Sequence, residues 1–219
     1  MITPKRKGRN IHIILETGIV AVIRAQSSEQ LVDVAKALRD GGVKAIEVTM
    51  TTPNALEVIN TVSGMMKDEC VIGVGTVLDP ETARAAILAG AEYVVSPTLN
   101  LDAIKMCRRY NAVCIPGAYT PTEILTAWEA GADVVKVFPA STLGPGFFKD
   151  VLGPLPQIRL SPTGGVSLDT VADFIKAGAC CVAAGGNLVS KKALAENDWA
   201  GITQTAQQFI EKIKEARES

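Results

Sequence analysis

The sequence predicts an α/β fold, a (β/α)8 barrel of the TIM type with an extra N-terminal helix, on three observations. Short apolar runs rich in Val, Ile and Ala alternate with helical patterns, eight such runs occur, and one glycine-terminated pattern repeats along the chain. Continuous apolar strands are what a parallel sheet covered on its outer face requires. Eight units in 219 residues fit a closed barrel, typically of about 250 residues, better than an open doubly wound sheet.

The elements follow in order. A helical pattern around Ile11–Glu16 comes first, then the runs "GIVAVIR", "GGVKAIEVTM", "VIGVGTV", "AGAEYVVSP", "AVCIPGA", "AGADVVKVFP", "IRLSPTGG" and "AGACCVAAGG". In four of these a helix ends in glycine just before the strand, and Gly42, Gly90, Gly131 and Gly178 recur at intervals of 48, 41 and 47 residues. The stretches between runs include "SSEQLVDVAKALRDGG", "PNALEVINTVSGMM", "DPETARAAILAGA" and "SLDTVADFIKAGA". Ser, Asp or Pro at the start and Gly at the end are the residues that cap short helices. A last helical pattern covers Trp199–Arg217. No linker or composition shift divides residues 1–219, so a single domain is expected.

Composition narrows the function. Twenty-two basic residues against twenty-three acidic ones leave a formal charge of −1, with no footprint for nucleic acid or an anionic membrane. No apolar run approaches a membrane span, and the basic start "MITPKRKGRN" lacks the apolar stretch of a secretory signal, so a cytoplasmic protein is expected. The five cysteines are odd in number and mostly sit in apolar runs, which reads as reduced core thiols. The one histidine, His12, lies far in sequence from any cysteine, and no metal site is expected.

A barrel gathers its chemistry at the C-terminal ends of its strands. Those ends carry Arg24, Glu47 with Thr49, Thr76, Ser96 with Pro97, Lys136 with Phe138, Thr163 with Gly164 and Gly165, and Gly185 with Gly186. One acid and one lysine stand within otherwise apolar strands. Side chains alternate across a strand, so Val134, Lys136 and Phe138 share one face and Ala45, Glu47 and Thr49 share another. If both polar sets point inward, Lys136 and Glu47 meet near the axis; the opposite parity would press both charges against the helix layer, at far greater cost.

Two accounts of this pair stand open on the residues alone. A buried structural ion pair is one, although its desolvation cost is several kcal/mol per ion. The other is a nucleophilic lysine. Lowering its pKa from about 10.4 towards ~7 takes roughly 4–5 kcal/mol of differential interaction, and a neutral amine in a dry pocket can attack a ketone to form a Schiff base. Glycine pairs at the ends of the seventh and eighth runs precede helical segments, an arrangement in which barrels bind phosphate; a tight turn alone would use the same residues.

The ordered motifs "VAVIRA", "AIEVTMTTP", "IGVGTVLDP", "VVSPTLN", "IPGAYTPTEI", "VVKVFPA", "SPTGGV" and "GGNLV" run from Val20 to Val189, and the resemblance they carry extends over about residues 8 to 215. They resemble the 2-keto-3-deoxy-6-phosphogluconate and 4-hydroxy-2-oxoglutarate aldolase family. That resemblance implies a class I aldolase on a (β/α)8 barrel, needing no cofactor or metal, acting on a phosphorylated 2-keto acid and usually a homotrimer. It implies that Lys136 is the Schiff-base lysine and Glu47 the general acid/base, that Thr76 meets the pyruvate carboxylate, and that Pro97 and Phe138 are pocket walls. Arg24 falls at a substrate-facing position, Thr163 at one linked to stereochemical control, and Gly164, Gly165 and Gly186 where the substrate phosphate is held. Two positions depart from many members. Thr51 stands where some carry a carboxylate-binding arginine and others threonine, and Gly186 stands where many have serine.

Two other functions fit the same barrel. A phosphosugar epimerase or isomerase would also use the glycine pairs but has little need of a buried lysine, and a non-enzymatic oligomeric scaffold would be inert.

Overall fold

The computed structural model describes residues 3–24 and 27–218; Ala25, which closes the first motif, lies outside them. The chain alternates strands and helices throughout: α1 (Pro4–Thr17), β1 (Ile19–Ile23), α2 (Ser28–Asp40), β2 (Ala45–Thr49), α3 (Ala55–Met65), β3 (Val71–Gly75), α4 (Pro80–Ala89), β4 (Tyr93–Val95), α5 (Leu101–Arg109) and β5 (Val113–Ile115). It continues with β6 (Gly117–Ala118), α6 (Pro121–Glu129), β7 (Val135–Val137), α7 (Ala140–Leu152), β8 (Leu160–Pro162), α8 (Val171–Lys176), β9 (Val182–Ala184), α9 (Lys191–Glu196) and α10 (Trp199–Glu218).

Helix starts carry the expected chemistry. Ser27, Asp79, Asn100 and Ser190 each accept a hydrogen bond from the backbone N–H three residues on, and Thr120 forms a capping box with Glu123. Each cap satisfies an amide that the helix itself leaves unpaired, worth about 1 kcal/mol.

The strands are parallel and form a curled sheet, with β5-β4-β3-β2-β1-β9 in one run and β6-β7-β8 in another. A parallel bridge between Thr163 and Ala183 joins the β8 side to β9. On the other side Lys136 N–H donates to the Pro116 carbonyl at 2.9 Å.

Alternation sorts the apolar residues into two layers. Val20, Ala45, Val71, Val95, Val113 and Val134 pack together on the inner, concave face. Their neighbours Ala21, Ile46, Ile72, Val94, Cys114 and Val135 pack outward against the helices. Helix α1 covers the N-terminal end of the inner face with Ile14. Its basic residues reach acids there: Arg6 pairs with Glu92 at 2.8 Å and Lys7 with Asp133 at 2.9 Å. At the opposite end of the chain, α10 packs on α2 and α8. All five cysteines are free thiols, and among the described residues no helix is long and apolar enough to cross a membrane.

Four expectations need correction. The first helix begins at Pro4, well before Ile11, because the polar residues that hide its periodicity are held by the ion pairs just described. The run "AVCIPGA" is not one strand but is interrupted at Pro116, a residue without an N–H to give to a ladder. The pattern from Ser167 yields a helix only from Val171, since Ser167 N–H bonds the Thr170 hydroxyl at 2.9 Å in a local turn. The stretch "PNALEVINTVSGMM", expected to start at its proline, is helical only from Ala55, after Asn54 at φ 53°.

Candidate active site

Glu47 stands on β2 between Ile46 and Val48, and Lys136 on β7 between Val135 and Val137. These four neighbours pack outward, so both polar side chains face inward. Glu47 is 2 % exposed and Lys136 7 %, and no hydrogen bond or direct ion pair joins them among the described residues. Their environments still couple them. Burial pushes the Glu47 carboxyl above the usual carboxylate range, opposed by the charges of Lys136 and Arg24. Burial likewise pulls the Lys136 ammonium below the usual lysine range; Glu47 opposes that shift and Arg24 reinforces it. Desolvation dominates both, which favours the neutral amine that a nucleophile needs.

Surrounding residues complete the site. Lys136 Nζ lies over the Phe138 ring, 4.9 Å from its centroid. Phe138 and Pro97, with Ala118 and Tyr119, line one cavity of about 410 Å³. Arg24 follows β1 and is exposed, close enough to bias both Glu47 and Lys136. Thr76 follows β3 at φ 62°, a strained conformation for a β-branched residue that clusters at functional sites. Thr51 is exposed, and its hydroxyl meets that of buried Thr49 at 2.8 Å.

The glycine pairs end in turns. Gly164 and Gly165 have φ of 89° and 75°. A Cβ on Gly165 would lie 2.8 Å from Ser141 Cβ, so the start of α7 and this turn approach as closely as they do only with glycine. Thr170 Oγ1 donates to the Gly165 carbonyl at 2.8 Å, and Asn187 Nδ2 donates to the Val166 carbonyl at 2.8 Å, tying the β8 and β9 turns together. Among the described residues the backbone N–H groups of Gly164, Gly165 and Gly186 have no carbonyl partner. Thr163, at the bridge to Ala183, has a buried hydroxyl with no partner among the described residues.

Sequence reasoning missed two polar residues of the inner face, Tyr93 and Ser161. Both are buried, and Ser161 pairs in register with Lys136. The alternation that turned Lys136 inward would have found them.

The chain has counterparts among known proteins. A family model described as KDPG and KHG aldolase matches residues 11–205. The 2-dehydro-3-deoxy-phosphogluconate aldolase of Pseudomonas aeruginosa is 34% identical over 203 residues, 92% of this chain and 92% of that one. The KHG/KDPG aldolase of Escherichia coli K12 is also 34% identical over 203 residues, 92% of this chain and 95% of that one. The structure of KDPG aldolase from Legionella pneumophila, with pyruvate captured as a covalent carbinolamine intermediate, superposes with a TM-score of 0.84 at 26% identity, covering 94% of this chain and 97% of that one. With a family model spanning most of the chain and relatives above 30% identity along nearly all of it, the protein belongs to the KDPG and KHG aldolase family.

Proposed function

We propose that this protein is a class I aldolase that cleaves 2-keto-3-deoxy-6-phosphogluconate to pyruvate and glyceraldehyde 3-phosphate. The observation that carries the reading is a lysine and a carboxylate, each buried and each shifted toward its neutral form, on the inner face of an aldolase-family chain. Lys136 Nζ adds to the C2 carbonyl, and loss of water from the carbinolamine gives a protonated imine. Glu47 moves the protons of that step and accepts the C4 hydroxyl proton as the C3–C4 bond breaks. The bonding pair flows into the imine as an enamine while glyceraldehyde 3-phosphate leaves. Protonation at C3 and hydrolysis release pyruvate and restore the amine. General acid/base groups in such roles contribute about 10²–10⁴-fold.

The remaining roles are the ones that the family resemblance implies. Thr76, Thr51 and Arg24 hold the ketoacid carboxylate, Pro97 and Phe138 wall the pocket, Thr163 bears on the stereochemistry at C4, and the unpaired N–H groups at Gly164, Gly165 and Gly186 hold the phosphate. 4-Hydroxy-2-oxoglutarate, the substrate named for the second activity of the family, is the further candidate. The β5–β6 pair in line beside β7 and the Thr163–Ala183 bridge support closure of the sheet into a single-domain (β/α)8 barrel. The family resemblance adds a cytoplasmic homotrimer, which native mass measurement tests.

A coupled pyruvate-release assay across the gluconate-type, galactonate-type and unphosphorylated ketoacids tests the assignment. Preferred cleavage of the phosphogluconate-type acid is expected. No pyruvate from any of them refutes it.

A further inference from the structure

Strand β3 presents two glycines to the inner face, and a side chain from a neighbouring strand overlies each. The Glu47 carboxylate lies over Gly75, and the far end of the Tyr93 ring lies over Gly73, with Cε1, Cε2 and Cζ equally close to where a Cβ would stand. The register sets Glu47 opposite Gly73 and Gly73 opposite Tyr93, so the three residues form one row across β2, β3 and β4. With its far end over Gly73, the Tyr93 ring reaches from β4 across β3 along the row that Glu47 shares on β2. Tyr93 is 0 % exposed, and among the described residues its hydroxyl has no hydrogen-bond partner. An unpartnered buried hydroxyl is costly, and phenylalanine would fill nearly the same volume without that cost.

The groups facing this row are few. Lys136 from β7 and Arg24 after β1 act on Glu47. Glu47, Cys181 beside β9 and Cys70 at the entry to β3 act on Tyr93. Burial raises the phenol pKa well above its ordinary value, so the hydroxyl keeps its proton and is a donor. The carboxylate is the strongest acceptor among the groups that face it.

We infer that Tyr93 is a positioning residue for Glu47, its phenol donating to the carboxylate through one bridging water and setting the pH at which Glu47 works. A bridging water transmits such a bond at little enthalpic cost. The inference rests on the aldolase reading above, in which Glu47 moves protons.

The test is the pH profile of kcat for Tyr93→Phe. Donation to the charged form lowers a carboxylate pKa, so losing the hydroxyl raises it. The acid limb is expected to move up by about one pH unit, with KM changed less than about twofold, and the Tyr93→Phe effect is expected to vanish in a Glu47→Gln background. A merely structural phenol predicts a higher Tm from relief of the unpartnered hydroxyl and an unmoved limb. As a second measurement that leaves the fold intact, 3-fluorotyrosine at position 93, a stronger donor, is expected to move the limb downward. An unmoved limb in either protein, or an equal effect of Tyr93→Phe with and without Glu47, overturns the inference. A wild-type protein that cleaves no ketoacid fails earlier in the same assay and refutes the aldolase reading instead.

Discussion

The Glu47 carboxylate occupies the space that a side chain at Gly75 would fill. Gly75→Ala is therefore expected to fold, since the group in the way is the end of a side chain that can rotate, but to push the carboxylate out of place. Misplacement of a catalytic group by about 1 Å can cost ~10²-fold, and steady-state kcat checks this. Gly73→Ala differs, because the group it meets is the fully buried ring of Tyr93. Overpacking there is expected to cost about 1–3 kcal/mol, read from urea unfolding.

Glu47→Gln separates catalysis from stability. Turnover is expected to fall about 10²–10⁴-fold. The folded-state pKa of Glu47 lies above its unfolded value, so its contribution to stability is fully present below the unfolded pKa and is lost as pH rises through the folded pKa. Glutamine does not titrate. The variant should gain stability relative to wild type as pH rises above about 4.3, and thermal melts across pH 4 to 8 check the sign.

Lys136 supplies a second pH dependence. Burial lowers its pKa, so the amine is free at lower pH than an ordinary lysine. The rate of imine formation with pyruvate should rise with pH and level off below about 10.4, the value of an unperturbed lysine. Stopped-flow trapping against pH measures it, and a rise continuing to that value would deny the shift.

Gly186 is exposed, and a Cβ there meets nothing within 4 Å. Gly186→Ser should add one hydrogen bond to a phosphate, worth about 0.5–1.5 kcal/mol. KM for the phosphorylated ketoacid should fall by roughly 2–10-fold with the dephosphorylated substrate unaffected, as initial rates on both will show. Gly165→Ala, at φ 75° and against Ser141, should raise that KM.

Much of this was legible in the chain. Alternation, with the cost of a buried charge against the helix layer, turned Lys136 and Glu47 to one face, and cap residues such as Ser27 and Asp79 marked helix starts that the structure keeps. Local turn chemistry escaped pattern reading: the Ser167–Thr170 bond delays α8, and Pro116 splits a strand whose apolar pattern is unbroken. Tyr93 was hidden for another reason. In "EYVVSP" alternation turns the tyrosine inward but leaves it an ordinary strand aromatic, and the two glycines of a different strand, one beneath its ring and one beneath Glu47, show its neighbourhood.

Borohydride reduction in the presence of pyruvate tests the central claim most directly. A three-carbon adduct on the peptide carrying Lys136, absent from Lys136→Met, is the predicted result by intact mass and peptide mapping. An unmodified protein under conditions where a control class I aldolase reacts, or an adduct confined to another lysine, would contradict it.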